Sequence, residues 1–111
     1  MRRTTSSPFG GETRTRVLVA LGLLETSYAR ELARLLAAPA SGVRKAIAAL
    51  ERDGLVSGRL VGRTRVVQLS PTYFARDELK AYLERLSEAY VELQGEVRKL
   101  RRRPRQAGKP L

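Results

Sequence analysis

Residues 17–24 read VLVALGLL, eight positions without a polar side chain. The run is far shorter than the roughly 20 residues a bilayer span needs. Leu and Ala favour helix, and a helix from about Thr13 puts Val17, Leu18, Val19, Ala20, Leu21, Leu23 and Leu24 on nearly every face. A helix with no polar stripe has to be covered on more than one side. A chain of 111 residues supplies one domain and one modest core, so part of the cover is expected to come from a second copy of the chain.

The next fifty residues are heavily punctuated. Thr26 or Ser27 can cap a short helix, Ala29–Leu36, that carries Leu32, Leu35 and Leu36. Pro39 ends it, because proline has no amide hydrogen and disfavours helix in the residue before it. Ser41 can cap a further helix over 41–53, with Val43, Ile47 and Leu50 as its apolar stripe. Asp53-Gly54 stops that helix, with Gly54 at the left-handed position. Two β runs, LVSGRL and RTRVVQL, then form a hairpin over 57–69 that turns at Val61-Gly62-Arg63-Thr64.

Beyond Pro71 the pattern predicts one long helix over 72–100. Leu79, Leu83, Leu86, Tyr90, Leu93, Val97 and Leu100 alternate steps of four and three, the 3.5-residue repeat of a coiled-coil seam. Together with Val17, Leu21 and Leu24 they form the expected homodimer interface. The alternative is that part of the seam, 79–86, packs on its own domain. Glu84, Glu88, Glu92 and Glu96 are expected on a solvated outer face, and Asp77-Glu78 reads as a helix-start pair favoured by the dipole. The division is thus a basic, disordered tail over 1–12, a domain over 13–71, the helix over 72–100 and a second basic, disordered tail over 101–111.

Charge is large and unevenly spread. The chain has a net charge of +11 and a pI near 11.2, which points to an anionic partner, nucleic acid before a membrane surface. Residues 41–65 hold six basic and two acidic side chains, 66–97 hold three and six, and 98–111 hold seven and none. Cysteine and histidine are absent, which removes disulfides, thiolate or imidazole metal sites, cysteine nucleophiles and histidine acid–base catalysis. No nucleophile–base pair or phosphate loop is evident, so neither an enzyme nor a cofactor or metal is expected. The opening MRRTTSSPFGG is not followed by a clean apolar run as a signal peptide would be, and the expected location is the cytoplasm.

The run ETSYARELARLLAAPASGVRKAIAALERDGLVSGRLVGRTRVVQLS resembles the winged helix-turn-helix of ArsR- and MarR-like transcriptional regulators. The matching features are Ala29–Leu36, the Ser41-Gly42-Val43 opening, the LERDGLV exit and the returning strand GRTRVVQL. The resemblance implies a mainly α fold with a small β hairpin, followed by a long C-terminal dimerisation helix. It also implies a dimeric repressor bound to double-stranded DNA, with 41–53 as the recognition helix and 57–69 as the wing.

The residues fit such a role. With Val43, Ile47 and Leu50 inward, the opposite face presents Ser41, Gly42, Arg44, Lys45 and Ala48. Small Gly42 and Ala48 permit close approach, Arg44 suits guanine readout, and Lys45 suits a phosphate. Thr26, Ser27 and Tyr28 are candidates for positioning on the backbone. Arg59, Arg63 and Arg65 would reach flanking phosphates or the minor groove, with Arg63 at the tip. Relatives that sense soft metals use cysteine and histidine, absent here. A small-molecule effector is left open. The alternative function is a winged-helix interaction module, an antitoxin or assembly subunit that binds an acidic protein and DNA without sequence preference.

Overall fold

The computed structural model describes residues 8–102. It is mainly helical with one small antiparallel sheet, in the order α1 (Glu12–Leu24), β1 (Thr26–Tyr28), α2 (Ala29–Leu36), α3 (Ala40–Arg52), β2 (Val56–Val61), β3 (Thr64–Leu69), α4 (Arg76–Leu86), a single 3-10 turn (Ser87–Ala89) and α5 (Val91–Arg102). Residues 1–7 and 103–111, which hold most of the two expected tails, lie outside the described part. The tail boundaries shift at both ends. Glu12 opens α1, and Arg101 and Arg102 close α5.

The apolar run of α1 is central, as its composition demands. Val17, Leu18, Val19, Ala20 and Leu21 are buried, and α1 packs against α2, α3, α4, α5 and β3. Its second side is therefore covered by this chain itself, not by a second copy. Gly22 lets α4 come close: a Cβ there would lie 3.4 Å from that of Leu83.

The helix pair before the sheet follows the punctuation. Ala37 closes α2 in the left-handed region at φ 51°, its N–H returned to the carbonyls of Ala33 and Arg34. Pro39 is the residue that precedes α3 in extended conformation. Ser41 is therefore inside the first turn, and no side chain caps this helix. Val43, Ala46, Ile47, Ala49 and Leu50 form its buried face.

The sheet has the order β1-β3-β2, all antiparallel. The hairpin turns at Gly62-Arg63, as its sequence indicates, with Val61 opposite Thr64. Gly62 has φ +64° at the first central position, which a two-residue type II′ turn reserves for glycine. The third strand, β1, was not foreseen: Thr26, Ser27 and Tyr28 pair with Gln68, Val67 and Val66. Thr26 and Ser27, which read as helix caps, are instead β backbone, and Tyr28 is the residue that precedes α2.

The single long C-terminal helix does not form. It breaks at the 3-10 turn, after which Tyr90 takes φ −118°, ψ 61°. The cause is Ser87, a buried hydroxyl that donates to the Glu84 carbonyl at 2.7 Å and accepts from Gln94 Nε2 at 3.1 Å. A serine bonded back to its own preceding turn competes with the helical ladder and bends it. The break folds α5 back along α1 and α2, and Arg101 donates to the Leu23 carbonyl.

The expected dimer seam is consequently an internal one. Val17, Leu21, Leu79, Leu83, Leu93 and Val97 are all buried within a single chain. Leu24, Leu86 and Tyr90 are half-buried against the same core, and Leu100 is half-buried beside Leu35 and Lys99. Six of these ten side chains are thus buried by intramolecular packing, and the other four are half-buried. The alternative of packing on the chain's own domain is what happens, and it extends past 79–86 to Val97. Glu84, Glu88, Glu92 and Glu96 are exposed, but the break distributes them over α4, the turn and α5; Glu88 meets Arg85 and Glu96 meets Lys99. Among the described residues, no helix is long and apolar enough to cross a membrane.

Candidate nucleic-acid interface

Because α3 buries Val43, Ile47 and Leu50, its helical period turns Ser41, Arg44, Lys45, Ala48 and Arg52 outward, and all five are exposed. Gly42 is half-buried, with open space where a Cβ would be. Neither Arg44 nor Lys45 meets a carboxylate among the described residues. Arg52, not singled out from the sequence, extends the same basic face to the end of the helix.

The hairpin lies beside that face. Strand alternation sets Val56, Gly58 and Leu60 of β2, with Arg65, Val67 and Leu69 of β3, on the side that continues the core. Ser57, Arg59 and Val61, with Thr64, Val66 and Gln68, fall on the other side. The three arginines are thus in three different situations. Arg63 is at the apex, exposed, without an ion-pair partner among the described residues. Arg59 is exposed on the sheet face turned away from α3, in the cross-strand row that also contains Val66 and Tyr28. Arg65 is on the α3 side and its guanidinium donates to Glu51 Oε2 at 2.5 Å.

That contact requires a bare backbone. A Cβ on Gly58 would fall 2.8 Å from the Arg65 guanidinium carbon, so the glycine is where Arg65 lies flat across β2. The hydrogen bond to Glu51, and then the Glu51 charge, raise the Arg65 pKa above its already high ordinary value. Arg65 is fully charged at any physiological pH, and its charge is partly spent on Glu51.

Between α3 and the hairpin is an open hollow of about 200 Å³, floored by Ala29, Ile47, Ala48 and Val67 and rimmed by Arg44, Arg65 and Glu51. Here the fold brings together Arg44, Ala48 and Arg65, three of the residues expected to act jointly. From residue 54 through residue 76 the chain has no acidic side chain. The hairpin therefore carries positive charge alone, with Glu51 of α3 meeting it at Arg65 and Asp77 meeting Arg76 at the far end of the stretch.

Of 26–28, Tyr28 shares the cross-strand row of Arg59 and Val66, while Thr26 and Ser27 are not brought together with α3. Ser27 is buried and donates to Glu31 Oε1 at 2.6 Å, so its hydroxyl serves the core. Thr26 is exposed but borders a separate, smaller hollow of about 70 Å³, with Glu25, Arg76 and Lys80. Tyr28 is half-buried where β1 meets α2, with no side-chain capping bond. A helix cap and a short strand can draw on the same Thr26-Ser27 pair, and here the pair is strand. Pairing with β3 turns alternate side chains to opposite faces.

Glu51, Gly58 and Leu60 were missed by sequence reasoning. A period-two reading of β2 gives the signal: Gly58 and Leu60 share the face of Val56, and the first is directly opposite Val67, one step along that face from Arg65. Comparison of the chain with known protein families, with curated proteins and with solved structures yields no match.

Proposed function

We propose that this protein is a DNA-binding transcriptional regulator of winged-helix type, a repressor that occludes its promoter. In this reading α3 enters the major groove. Arg44 donates to a base edge, guanine being the usual partner of a bidentate arginine, and Lys45 pairs with a phosphate. Ser41, Gly42 and Ala48 are the small surface that lets the helix approach, while Arg59, Arg63 and Arg65 address the flanking backbone or minor groove.

The observation that carries the reading is the exposed, carboxylate-free pair Arg44 and Lys45 on a helix face shared with the small Ser41 and Ala48 and with Arg52, next to a hairpin with no acidic residue. The hairpin, Val56–Leu69, carries Arg59, Arg63 and Arg65 and no carboxylate, and on α3 the acidic Glu51 comes only in the last turn. Dimerisation through the 3.5-residue seam forms no part of the proposal, since that seam is internal. The number of copies bound is read from the stoichiometry on DNA.

The test is fluorescence anisotropy with DNA from the gene's own upstream region and with a shuffled duplex, each at two salt concentrations. Binding to the native fragment that excess shuffled DNA fails to displace is the expected result. The slope of log affinity against log salt should be about −0.9 per phosphate contacted. Arg44→Ala should abolish the preference for the native fragment, and Arg63→Ala should weaken binding to both. Equal binding of native and shuffled DNA would exclude a specific regulator.

A second reading has one observation in its favour. Phe74, 91% exposed beside Tyr73, and Val91, 66% exposed, are apolar side chains within 66–97, a stretch with six acidic and three basic side chains. They would suit a protein partner, as in an interaction module that binds DNA without sequence preference. A stable complex with the product of a neighbouring gene, unaffected by Arg44→Ala and disrupted by Phe74→Ser, would favour this reading.

A further inference from the structure

The tip of the hairpin carries two large apolar side chains that no other part of the described chain covers. Leu60 is 72% exposed and Val61 49%, and they are the last two residues of β2, an outer strand of the sheet. Leu60 is on the α3 side, opposite Arg65, and Val61 is on the far side, opposite Thr64. Apolar surface therefore flanks both sides of a tip only two strands wide, about 5 Å between their axes. Single exposed apolar residues are ordinary. An apolar pair at the end of an outer strand is a liability, because such edges pair with other chains unless charge blunts them.

The charge around this pair is of one sign. Arg59 precedes it and Arg63 follows one residue later, both exposed and both without an ion-pair partner among the described residues. Two arginines bracketing an apolar tip are complementary to a groove with anionic walls and, between the polar base edges of its floor, the apolar faces of stacked bases. The minor groove of a DNA duplex is such a groove. Its potential attracts arginine, and apolar side chains driven between base steps unstack them and kink the helix.

Resting on the DNA-binding reading above, we infer that Leu60 and Val61 form a wedge that enters the minor groove beside the α3 contact. Arg59 and Arg63 grip the two phosphate walls, and Leu60 partly unstacks one base step. The hairpin then selects sequence without a base-edge hydrogen bond, because pyrimidine–purine steps such as TA open most easily. This complements α3, where small Gly42 and Ala48 leave few side chains besides Arg44 to read bases.

The test uses the full chain and duplexes of about two helical turns, one of alternating dA and dT and one of alternating dG and dC. In the first, adenines are replaced by 2-aminopurine, whose fluorescence rises when it unstacks; anisotropy of an end label reports binding separately. Binding should raise 2-aminopurine fluorescence severalfold. Leu60→Ser should remove that rise while lowering affinity no more than about tenfold, equivalent to about 1.4 kcal/mol. Arg63→Ala should weaken binding and flatten its salt dependence. Leu60 is exposed, so an unchanged melting curve for Leu60→Ser is the check that the variant is folded.

Binding by anisotropy without a fluorescence rise would overturn the wedge and leave the DNA-binding reading standing. No anisotropy change on any duplex at low salt would remove both. Loss of self-association in Leu60→Ser, with DNA behaviour unaltered, would reassign the tip to contacts between copies of the chain and overturn the wedge as well.

Discussion

Arg65 and Glu51 are fourteen residues apart in sequence and 2.5 Å apart in space, joined across the bare backbone of Gly58. The pair ties the returning strand of the hairpin to the last turn of α3. Both side chains are partly exposed, so it adds at most about 1 kcal/mol to stability. Its consequence is geometric and electrostatic: it sets the angle between two surfaces proposed to meet one duplex, and it offers Arg65 a carboxylate where DNA would offer a phosphate.

Replacing Glu51 by Gln should therefore free Arg65. Stability should change by less than about 1 kcal/mol. Affinity for DNA at low salt should rise severalfold, and the salt slope should steepen by about 0.9, one further phosphate. Salt-dependent anisotropy measures both. Weaker binding with an unaltered slope would show that the pair's main service is to hold the hairpin in place.

Gly58→Ala separates these roles at constant net charge. The new Cβ cannot coexist with the present Arg65 position, and the group that must move is the end of a flexible side chain, so the cost in stability should be within about 1 kcal/mol. The Arg65–Glu51 contact should be lost. If release of Arg65 is what matters, Gly58→Ala reproduces the salt slope of Glu51→Gln; an unchanged slope would point to the lost carboxylate charge instead.

Leu83→Ala tests the internal seam. Leu83 is fully buried against α1 at Gly22, so its truncation should cost about 2–5 kcal/mol. The variant should lose that stability in chemical denaturation without any change in the mass measured by sedimentation. A fall in mass at constant stability would place Leu83 between two copies of the chain. Gly22→Leu should be destabilising by about 1–3 kcal/mol through overpacking of the same contact.

Tyr90 gives a pH signature. Its pKa is raised, first by burial, then by the negative charge of Glu12 and by its hydroxyl donating to Glu12 Oε1 at 3.4 Å. The folded protein thus keeps this proton at pH values where the unfolded chain, near its ordinary value of about 10, has released it. That contribution to stability is intact below about pH 10 and is lost as the pH rises through the higher folded value. Absorbance titration should show one tyrosine ionising late. Tyr90→Phe should remove the late step and flatten the alkaline fall in stability.

How much of this was legible beforehand depends on the range of the forces involved. The α2–α3 pair, the Gly54 stop and the hairpin turn at Gly62-Arg63 are dictated by residues within a few positions of each other, and they stand where the sequence puts them. The basic face of α3 follows from the same local period. The break at Ser87 is different. A heptad count records spacing alone, and the spacing from Leu86 to Tyr90 to Leu93 is the same whether the helix continues or turns back. What decides is a buried hydroxyl with two bonding partners, one of them seven residues away. Likewise β1 exists only because β3 pairs with it forty residues later, and Ser27 goes inward through that register.

The break at Ser87 has a further effect, on the order in which the fold can be completed. Two contacts fasten the ends of α1, Tyr90 with Glu12 and Arg101 with Leu23, and each spans 78 residues. The most apolar helix, close to the beginning of the chain, thus obtains its last cover only from the final described helix. Contacts of such long sequence separation slow folding, since the loop they close must be ordered before the contact repays it. During synthesis VLVALGLL is made before α4 and α5, and its cover stays incomplete until α5 is in place. Partially made protein is therefore the species most exposed to aggregation, and a chain cut after Leu86 should resemble it. Such a truncated product should bind a hydrophobic dye and precipitate where the full chain stays in solution.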